Sequence, residues 1–441
     1  MGDEEKFDAI VVGAGPAGIA CAYTLAKEGR EVVVVERGDV PGAKNMTGGR
    51  VYTYALEQVE PGLAARAQDV FERRVTHEQM MMLDGDRGML LSYSDPTFAQ
   101  GEGVPLSYTV LRARFDEWFA AQAEEAGAMM VCGVRVDGLI EKDGRVVGVR
   151  AGEDEMFADV VVAADGVSSF MAQSIGLASE IGAKNVCVGA KEIIELPAKT
   201  IEERFGCSDG NGAARLIVGG CDGVNGGAFI YTNRESVSVG CVLMPQALTE
   251  KQLSVADAVQ RIKLHPAIAP LLEGGRTVEY SAHLCPEAGI AAVPQHIAAP
   301  GVLLVGDAAG LVINQGYTVR GIDLAILSGV AAARTVLSAS AHGAEGADAS
   351  DEAVYRAQLD MVGVTRAMQM ARRFPEVEDN PRIFGVYPEL LCNVFDTVYR
   401  IDPMSDVPLY PKLKECVRAS TSFGGLLKDA KQIRSTLKQG K

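Results

Sequence analysis

The segment Gly13-Ala14-Gly15-Pro16-Ala17-Gly18 constrains this chain more than any other stretch. It follows an apolar run, Phe7 to Val12, and leads into a helical pattern, Ile19 to Glu28, after which Glu31-Val32-Val33-Val34-Val35-Glu36 reads as a second strand. That order is one βαβ unit, whose near-continuous apolar strands suit a parallel sheet covered on both faces. A G-x-G-x-x-G match is weak alone and strong between a strand and a helix. Gly13 permits the turn, Gly15 lets backbone N–H groups approach a pyrophosphate, and Gly18 allows the helix to pack closely on the strand. The helix N-terminus then faces the anion. Glu36 ends the second strand about 20 residues on, where a carboxylate accepts hydrogen bonds from ribose hydroxyls and disfavours a 2′-phosphate. The competing structural reading is a glycine-rich turn in an unrelated α/β protein, with Glu36 merely solvated.

Bulk properties narrow the classes. A chain of 441 residues can bury a substantial core and is expected to fold as two or three subdomains. Its 42 basic and 58 acidic residues give a net charge of −16, which repels phosphate polymers and anionic lipid and argues against nucleic-acid binding. The longest apolar stretches are strand-sized, short of the ~20 residues that cross a bilayer, so any membrane contact is expected to be peripheral. The start, Met1-Gly2-Asp3-Glu4-Glu5-Lys6, has no basic region ahead of an apolar one, and the expectation is no secretory signal and cytoplasmic residence. Nine cysteines form no CxxC pair, which speaks against a cluster or structural zinc inside the chain and for small buried side chains. The five histidines show no metal-ligand spacing, and no Gly-x-Ser-x-Gly elbow supports hydrolysis.

Further along, Leu111 to Gly127 carries helical spacing, Val134 to Ala158 reads as a meander turning at Asp143-Gly144, and Ala158 to Ala164 is a third covered strand running into Asp165-Gly166. From about 185 to 284 the texture becomes glycine-rich and alternating, as in Gly227 to Tyr231 and Ser236 to Leu243, which predicts an antiparallel sheet. At Gly301 to Asp307 a covered strand returns, followed by a long helix, Gly321 to Ala341. Residues 341–350 form a small-residue linker, and the rest reads as mostly helical. The expected fold class is therefore α/β. A discontinuous Rossmann-like domain (1–75, 108–184 and 285–340) carries the nucleotide, an antiparallel-sheet domain (76–107 and 185–284) faces it, and 351–441 is a helical C-terminal region.

The dinucleotide motif cannot separate FAD from NAD. Val162-Ala163-Ala164-Asp165-Gly166 and Leu304-Val305-Gly306-Asp307-Ala308-Ala309-Gly310 each place an Asp in a small-residue turn at a strand end. With these segments the chain resembles the glutathione-reductase-like flavoproteins in their p-hydroxybenzoate-hydroxylase-type branch. The resemblance implies that Asp307 hydrogen-bonds the ribityl chain of FAD and that the following helix points its N-terminus at the flavin pyrimidine, favouring the charge that develops on reduction. For Asp165 a turn-capping role is the alternative. Arg112 matches an arginine that lies near the FAD phosphates or adenosine in that superfamily, whereas Arg114 reads as a solvated charge.

Three further segments sharpen the resemblance: Gly42-Ala43-Lys44-Asn45-Met46-Thr47-Gly48-Gly49-Arg50-Val51-Tyr52, Lys191 to Pro197, and Gly316 to Ala325. With Tyr387 to Cys392 they look like the FixC branch of the electron-transfer flavoprotein:quinone oxidoreductase family, over nearly the whole chain. The resemblance implies FAD, bound without a covalent link, and cofactor contacts from Gly13, Ala14, Gly15, Pro16, Ala17, Gly18, Glu36 and Arg37. It adds Asn45, Thr47, Gly48, Gly49, Arg112, Val136, Asp165, Gly166, Gly306, Asp307 and Gly316. No side chain is assigned as catalytic, since the chemistry is the flavin's; Asn314, Gln315 and Tyr317 are the candidates to meet flavin or quinone. Arg320 and Asp323 read as a local ion pair. Longer family members carry an iron–sulfur domain, and this chain ends at Lys441 without a cysteine cluster. The implied partners are thus a two-subunit electron-transfer flavoprotein, a separate ferredoxin-like iron–sulfur protein and a membrane quinone. The apolar set between Phe384 and Tyr399 reads either as internal packing or as a monotopic face at the inner side of the cell membrane. Rival activities are reduction of isoprenoid carbon–carbon double bonds, as in geranylgeranyl reductases, and NAD(P)H-dependent aromatic hydroxylation. A docking subunit with a structural flavin is the non-enzyme rival.

Overall fold

The computed structural model describes residues 6–44, 49–95, 97–100, 106–178, 182–183, 185–221, 223–286, 289–341, 348–405 and 407–438. Strand Lys6–Val12 lies between Val32–Glu36 and Asp154–Ala163 and runs parallel to both. The parallel order continues outward to Met129–Cys132 on one side and Val302–Leu304 on the other. The inner strands are buried on both faces, with Ile10, Val34, Val161 and Leu303 at zero exposure, which is why their sequences run apolar without alternation, while the edge strand Met129–Cys132 is partly exposed. The expected meander is present: Gly138–Lys142 and Arg145–Ala151 pair antiparallel and feed Asp154–Ala163.

Helix Pro16–Lys27 starts with proline at its first turn, where no N–H is needed, and presents small residues to helix Ile322–Ala341. The two helices approach so closely that a Cβ on Gly329 would sit 2.1 Å from the Ala17 carbonyl oxygen. The window Ile322–Ala339 is long and apolar enough to cross a membrane, yet 78% of it is buried inside the protein. It is the core helix of this half.

The second sheet has nine strands. Its path runs Arg276–Pro286, Val186–Glu195, Ser236–Leu243, Gly226–Thr232, Asn211–Gly219, Phe71–Asp84, Ser107–Val110 and Arg50–Tyr52, with Arg87–Ser94 paired on Phe71–Asp84. All its pairings are antiparallel except Asn211–Gly219 with Phe71–Asp84, which the chain reaches only after a long excursion through the first half. One face packs on helices Ala198–Phe205 and Val255–Leu264 through Ile194, Ile217, Ile230, Val239 and Ile262. Because successive side chains alternate across a strand, Lys191, Phe229 and Tyr231 project from the opposite face, toward the parallel sheet. The C-terminal region is helical, from Glu352–Met361 to Phe423–Leu437.

Candidate flavin cavity between the two sheets

A cavity of 1280 Å³ lies between the C-terminal edge of the parallel sheet and the free face of the second sheet. That exceeds the ~300–1,000 Å³ of ordinary ligand pockets and suits an extended dinucleotide plus a second molecule. Its floor is the glycine turn. Gly13 has φ +107°, and a Cβ there would lie 2.4 Å from the Ala164 carbonyl oxygen; one on Gly18 would lie 2.1 Å from the Gly13 oxygen. Gly13, Gly15, Pro16 and Ala17 line the cavity. Gly15 caps the helix with an extended backbone and no side-chain acceptor, so the N–H groups of the first turn are left for an anion. Ala14 and Gly18 lie beneath this surface: Ala14 is fully buried, and its N–H donates to Glu36 Oε2 at 2.8 Å. Glu36 Oε1 accepts the Gly38 N–H at 2.7 Å, which fixes the carboxylate at the cavity rim beside Arg37.

Asp165 and Asp307 stand past the ends of neighbouring parallel strands, where open α/β sheets bind their ligands. Asp165 Oδ2 accepts the Met171 N–H at 3.0 Å, but its Oδ1 is buried without a partner. Burial pushes this carboxyl above the ordinary range, against the pull of backbone N–H groups and Arg37. The Asp307 carboxyl is likewise raised by burial, offset by Arg112, and no side-chain hydrogen bond to it occurs among the described residues. Two carboxylates short of donors are acceptors waiting for hydroxyl groups, which a ribityl chain and sugars carry. The residues therefore fit a flavin dinucleotide. Arg112 also lines the cavity, clamped by Asp116 through Nε at 2.8 Å and Nη2 at 2.7 Å.

Val136, Gly166, Gly49, Gly306 and Gly316 line the same space. Asn45, Thr47 and Gly48 lie outside the described residues. Asn314, Gln315 and Tyr317 are brought to the far end, where the Gly316 N–H donates to Asn314 Oδ1 at 2.9 Å. Tyr317 meets Phe374 edge-on at 6.2 Å, so the C-terminal region forms part of the wall. Arg320 and Asp323 do form the local pair, at 2.8 Å from Nε, and Tyr54 joins it by donating to Asp323 Oδ2 at 2.6 Å. Arg114 is solvated as expected, at 53% exposure, and is also bound at 3.1 Å to Glu72, a carboxylate buried where the sheet meets the helix.

Sequence reasoning named the segments Gly42 to Tyr52 and Lys191 to Pro197 but not the side chains of the second wall that face the cavity. Tyr231 abuts Gly49, where a Cβ would come within 2.6 Å of its ring, and burial pushes its phenol up to about 12. Arg50 binds Glu78 at 3.0 Å and lies 4.8 Å over the Tyr52 ring. Lys191 projects from the middle of its strand. The usable signal was polar or aromatic residues at alternating positions inside otherwise apolar strands.

Comparison with known proteins agrees with this geometry. Residues 8–102 match the family described as FAD dependent oxidoreductase, 187–285 match ETF-QO, ubiquinone-binding, and 375–437 match the ETF-QO/FixC family C-terminal domain. The chain is 44% identical to Protein FixC of Salmonella typhi over 97% of its length and 98% of that protein. It is 46% identical to Protein FixC of Escherichia coli (strain K12), covering 90% and 92%. It is 44% identical to the probable electron transfer flavoprotein-quinone oxidoreductase YdiS of the same strain, covering 92% and 93%. Among solved structures, a geranylgeranyl bacteriochlorophyll reductase-like protein from Thermoplasma acidophilum superposes with TM-score 0.70 at 20% identity, covering 97% of this chain and 100% of that one. The flavin-dependent brominase Bmp2 gives TM-score 0.63 at 18% identity, covering 90% and 93%. Likeness at that identity speaks for the fold alone. The chain belongs to the ETF-QO/FixC family of FAD-dependent oxidoreductases.

Proposed function

We propose that this oxidoreductase takes electrons from a two-subunit electron-transfer flavoprotein and passes them through FAD to a membrane quinone, with a separate ferredoxin-like iron–sulfur protein as a further partner. The observation that carries this reading is spatial. The ubiquinone-binding match, residues 187–285, covers the strands that wall the cavity opposite the dinucleotide turn, so cofactor and quinone would share one enclosed space.

In this reading residues 1–75, 108–184 and 285–340 form the FAD domain, 76–107 and 185–284 the quinone domain, and 351–441 the helical region, although strands Arg50–Tyr52, Phe71–Asp84 and Ser107–Val110 pair in the second sheet and straddle those bounds. The turn Gly13 to Gly18 holds the pyrophosphate on a helix N-terminus, and Glu36 with Arg37 meets the adenosine ribose. Asp307 accepts from the ribityl chain, Asp165 Oδ1 from a further hydroxyl, and Arg112 faces the phosphates. Bound FAD supplies two-electron chemistry that can also proceed one electron at a time. The protein positions it. The segment around the end of helix Val386–Tyr399 exposes Tyr399, Ile401, Met404 and Tyr410, each at 75% or more. Such an exposed apolar segment suits peripheral contact with the inner face of the cell membrane, from which a quinone would come.

The test is anaerobic stopped-flow absorbance of the FAD-loaded protein, reduced chemically and mixed with decyl-ubiquinone. Rapid return of the oxidised flavin band, together with no reduction by NAD(P)H, is expected. Slow reoxidation by quinone combined with fast reduction by NAD(P)H would sink the reading.

A further inference from the structure

Lys191 is a lysine where a strand interior would normally carry an apolar residue. It sits in Val186–Glu195, a strand paired on both sides, and is only 5% exposed. Its neighbour Glu192, on the opposite face, is fully engaged: Lys263 Nζ donates at 2.6 Å and Thr277 Oγ1 at 2.8 Å. Lys191 has no comparable arrangement. Its ion-pair contact among the described residues is Glu279 Oε1 at 3.7 Å, beyond hydrogen-bond length, and Glu279 itself is 45% exposed on the sheet's edge strand. An ammonium at this depth whose described acceptor is one long contact to a half-exposed carboxylate is costly unless something else supplies a closer one. Lys191 lines the cavity, and a ligand there would bring that closer oxygen.

The surroundings also ready it to give up a proton. Burial holds the ammonium below the usual lysine range, with Glu279 from the edge strand opposing that shift, Arg112 from helix Arg112–Glu125 adding to it, and Asp116 opposing it. Arg215, a further buried cation lining the cavity, donates to Gln79 Oε1 at 2.9 Å. Tyr231 is held neutral by burial, and Glu78 is tied to Arg50.

We infer that Lys191 is the residue that protonates the quinone as it is reduced, with Glu279 as the group that resupplies the proton from solvent. This rests on the quinone-reductase reading. Reduction of a quinone to a quinol takes two electrons and two protons. The electron pair comes from the reduced cofactor. As it arrives, an O–H bond forms at one carbonyl oxygen while an Nζ–H bond of Lys191 breaks, leaving a neutral amine. The second oxygen takes the proton that the reduced cofactor releases as its electron pair leaves. The amine regains its proton from solvent through the Glu279 carboxyl, which reaches both the cavity wall and the surface. General-acid assistance of this kind is worth roughly 10²–10⁴-fold.

The test uses the FAD-loaded protein, reduced anaerobically and mixed with saturating decyl-ubiquinone across pH 6 to 10, for the wild type, Lys191→Met, Lys191→Arg and Glu279→Gln. The wild-type reoxidation rate should fall as pH rises through the lysine's depressed pKa, because only the protonated form donates. Lys191→Met should lose about 100-fold and lose that pH limb while keeping its FAD and its affinity for the quinone. Lys191→Arg keeps the positive charge but does not release its proton in this range, so it should be slow as well. Glu279→Gln should keep the limb and move it to lower pH, since the carboxylate that favours the ammonium is gone. A Lys191→Met protein that reoxidises within twofold of wild type with an unchanged pH profile overturns the inference alone. Loss of FAD from both lysine variants overturns it too and makes Lys191 a cofactor ligand. A wild type indifferent to quinone sinks both the inference and the reading beneath it.

Discussion

The two sheets that enclose the cavity solve the same problem in opposite ways. In the parallel sheet the inner strands are buried on both faces, so polar chemistry is confined to the strand ends, at Gly13 to Gly18, Glu36, Asp165 and Asp307. In the nine-stranded sheet one face packs on helices and the other lines the cavity, so its polar residues sit mid-strand among apolar neighbours, as Lys191 and Tyr231 do. The first arrangement concentrates function in turns and leaves the strands as scaffold. The second mixes the two along each strand, and a residue's role depends on which face it takes.

The largest effect that separates the sheets is expected at Arg73. This guanidinium is 2% exposed and donates to the Asn233 carbonyl at 2.6 Å, the Arg234 carbonyl at 2.9 Å and Glu202 at 2.8 Å. It ties the second sheet to its connecting loop and to helix Ala198–Phe205, away from the cavity lining. Arg73→Met leaves the Asn233 and Arg234 carbonyls without their donor, and a loss of about 1–3 kcal/mol is expected. Urea unfolding should show that loss, while FAD content of the folded fraction stays at wild-type level. A variant that sheds FAD without losing stability would break the division between scaffold and site in this sheet.

The Asp165 carboxylate makes the converse test, because it belongs to the site and weakens the scaffold. Its Oδ1 is buried and unpartnered, and burial raises its folded-state pKa above the unfolded value. For a raised carboxyl the unfavourable contribution is absent well below the unfolded value of about 3.9, where both states are protonated, develops as pH rises from that value toward the folded pKa, and is complete above the folded pKa. Asp165→Asn should therefore stabilise the FAD-free protein by about 1 kcal/mol at pH 7 and by far less near pH 3.5. The same change should weaken FAD binding by roughly tenfold, the worth of one charge-assisted hydrogen bond. Thermal unfolding with and without FAD, at both pH values, checks the opposite signs. Stabilisation of both forms alike would mean that no ligand group meets Oδ1.

This contrast also explains what could be read from the sequence. Strand-end chemistry is local: turn glycines, a following helix and an acid at a fixed distance are contiguous in the chain, so Gly13, Glu36, Asp165 and Asp307 could all be named before the fold was known. Their convergence on one cavity agrees with that reading. The helix Ile322–Ala341 and the meander after Val134 were legible for the same reason, since period and turn residues are local. Mid-strand function is not local. Whether Lys191 or Glu192 faces the cavity depends on register against Ser236–Leu243 and Arg276–Pro286, whose pairing lies 40 to 100 residues away in sequence. The parallel pairing of Asn211–Gly219 with Phe71–Asp84 was equally hidden, because no hairpin turn announces it.

The smallest prediction concerns the seam where the halves meet. Arg114 looks like a surface charge in the sequence and is 53% exposed, yet its partner Glu72 is 3% exposed at the side chain and also accepts the Arg234 N–H at 2.9 Å. An exposed cation usually contributes little, because solvent screens the pair and ordering a long side chain costs entropy. Here one partner is held rigidly by the second sheet while the cation rides on helix Arg112–Glu125, so part of the entropy is already lost on folding. Arg114→Ala should therefore cost about 0.5–1 kcal/mol, toward the upper end of the range for surface pairs. Salt should shrink the cost, since the arginine side faces water. Comparing Arg114→Ala, Glu72→Gln and the double variant by urea unfolding at low and high salt isolates the pair. A coupling of zero at low salt would show that the helix and the second sheet are joined by packing alone, with the ion pair a bystander.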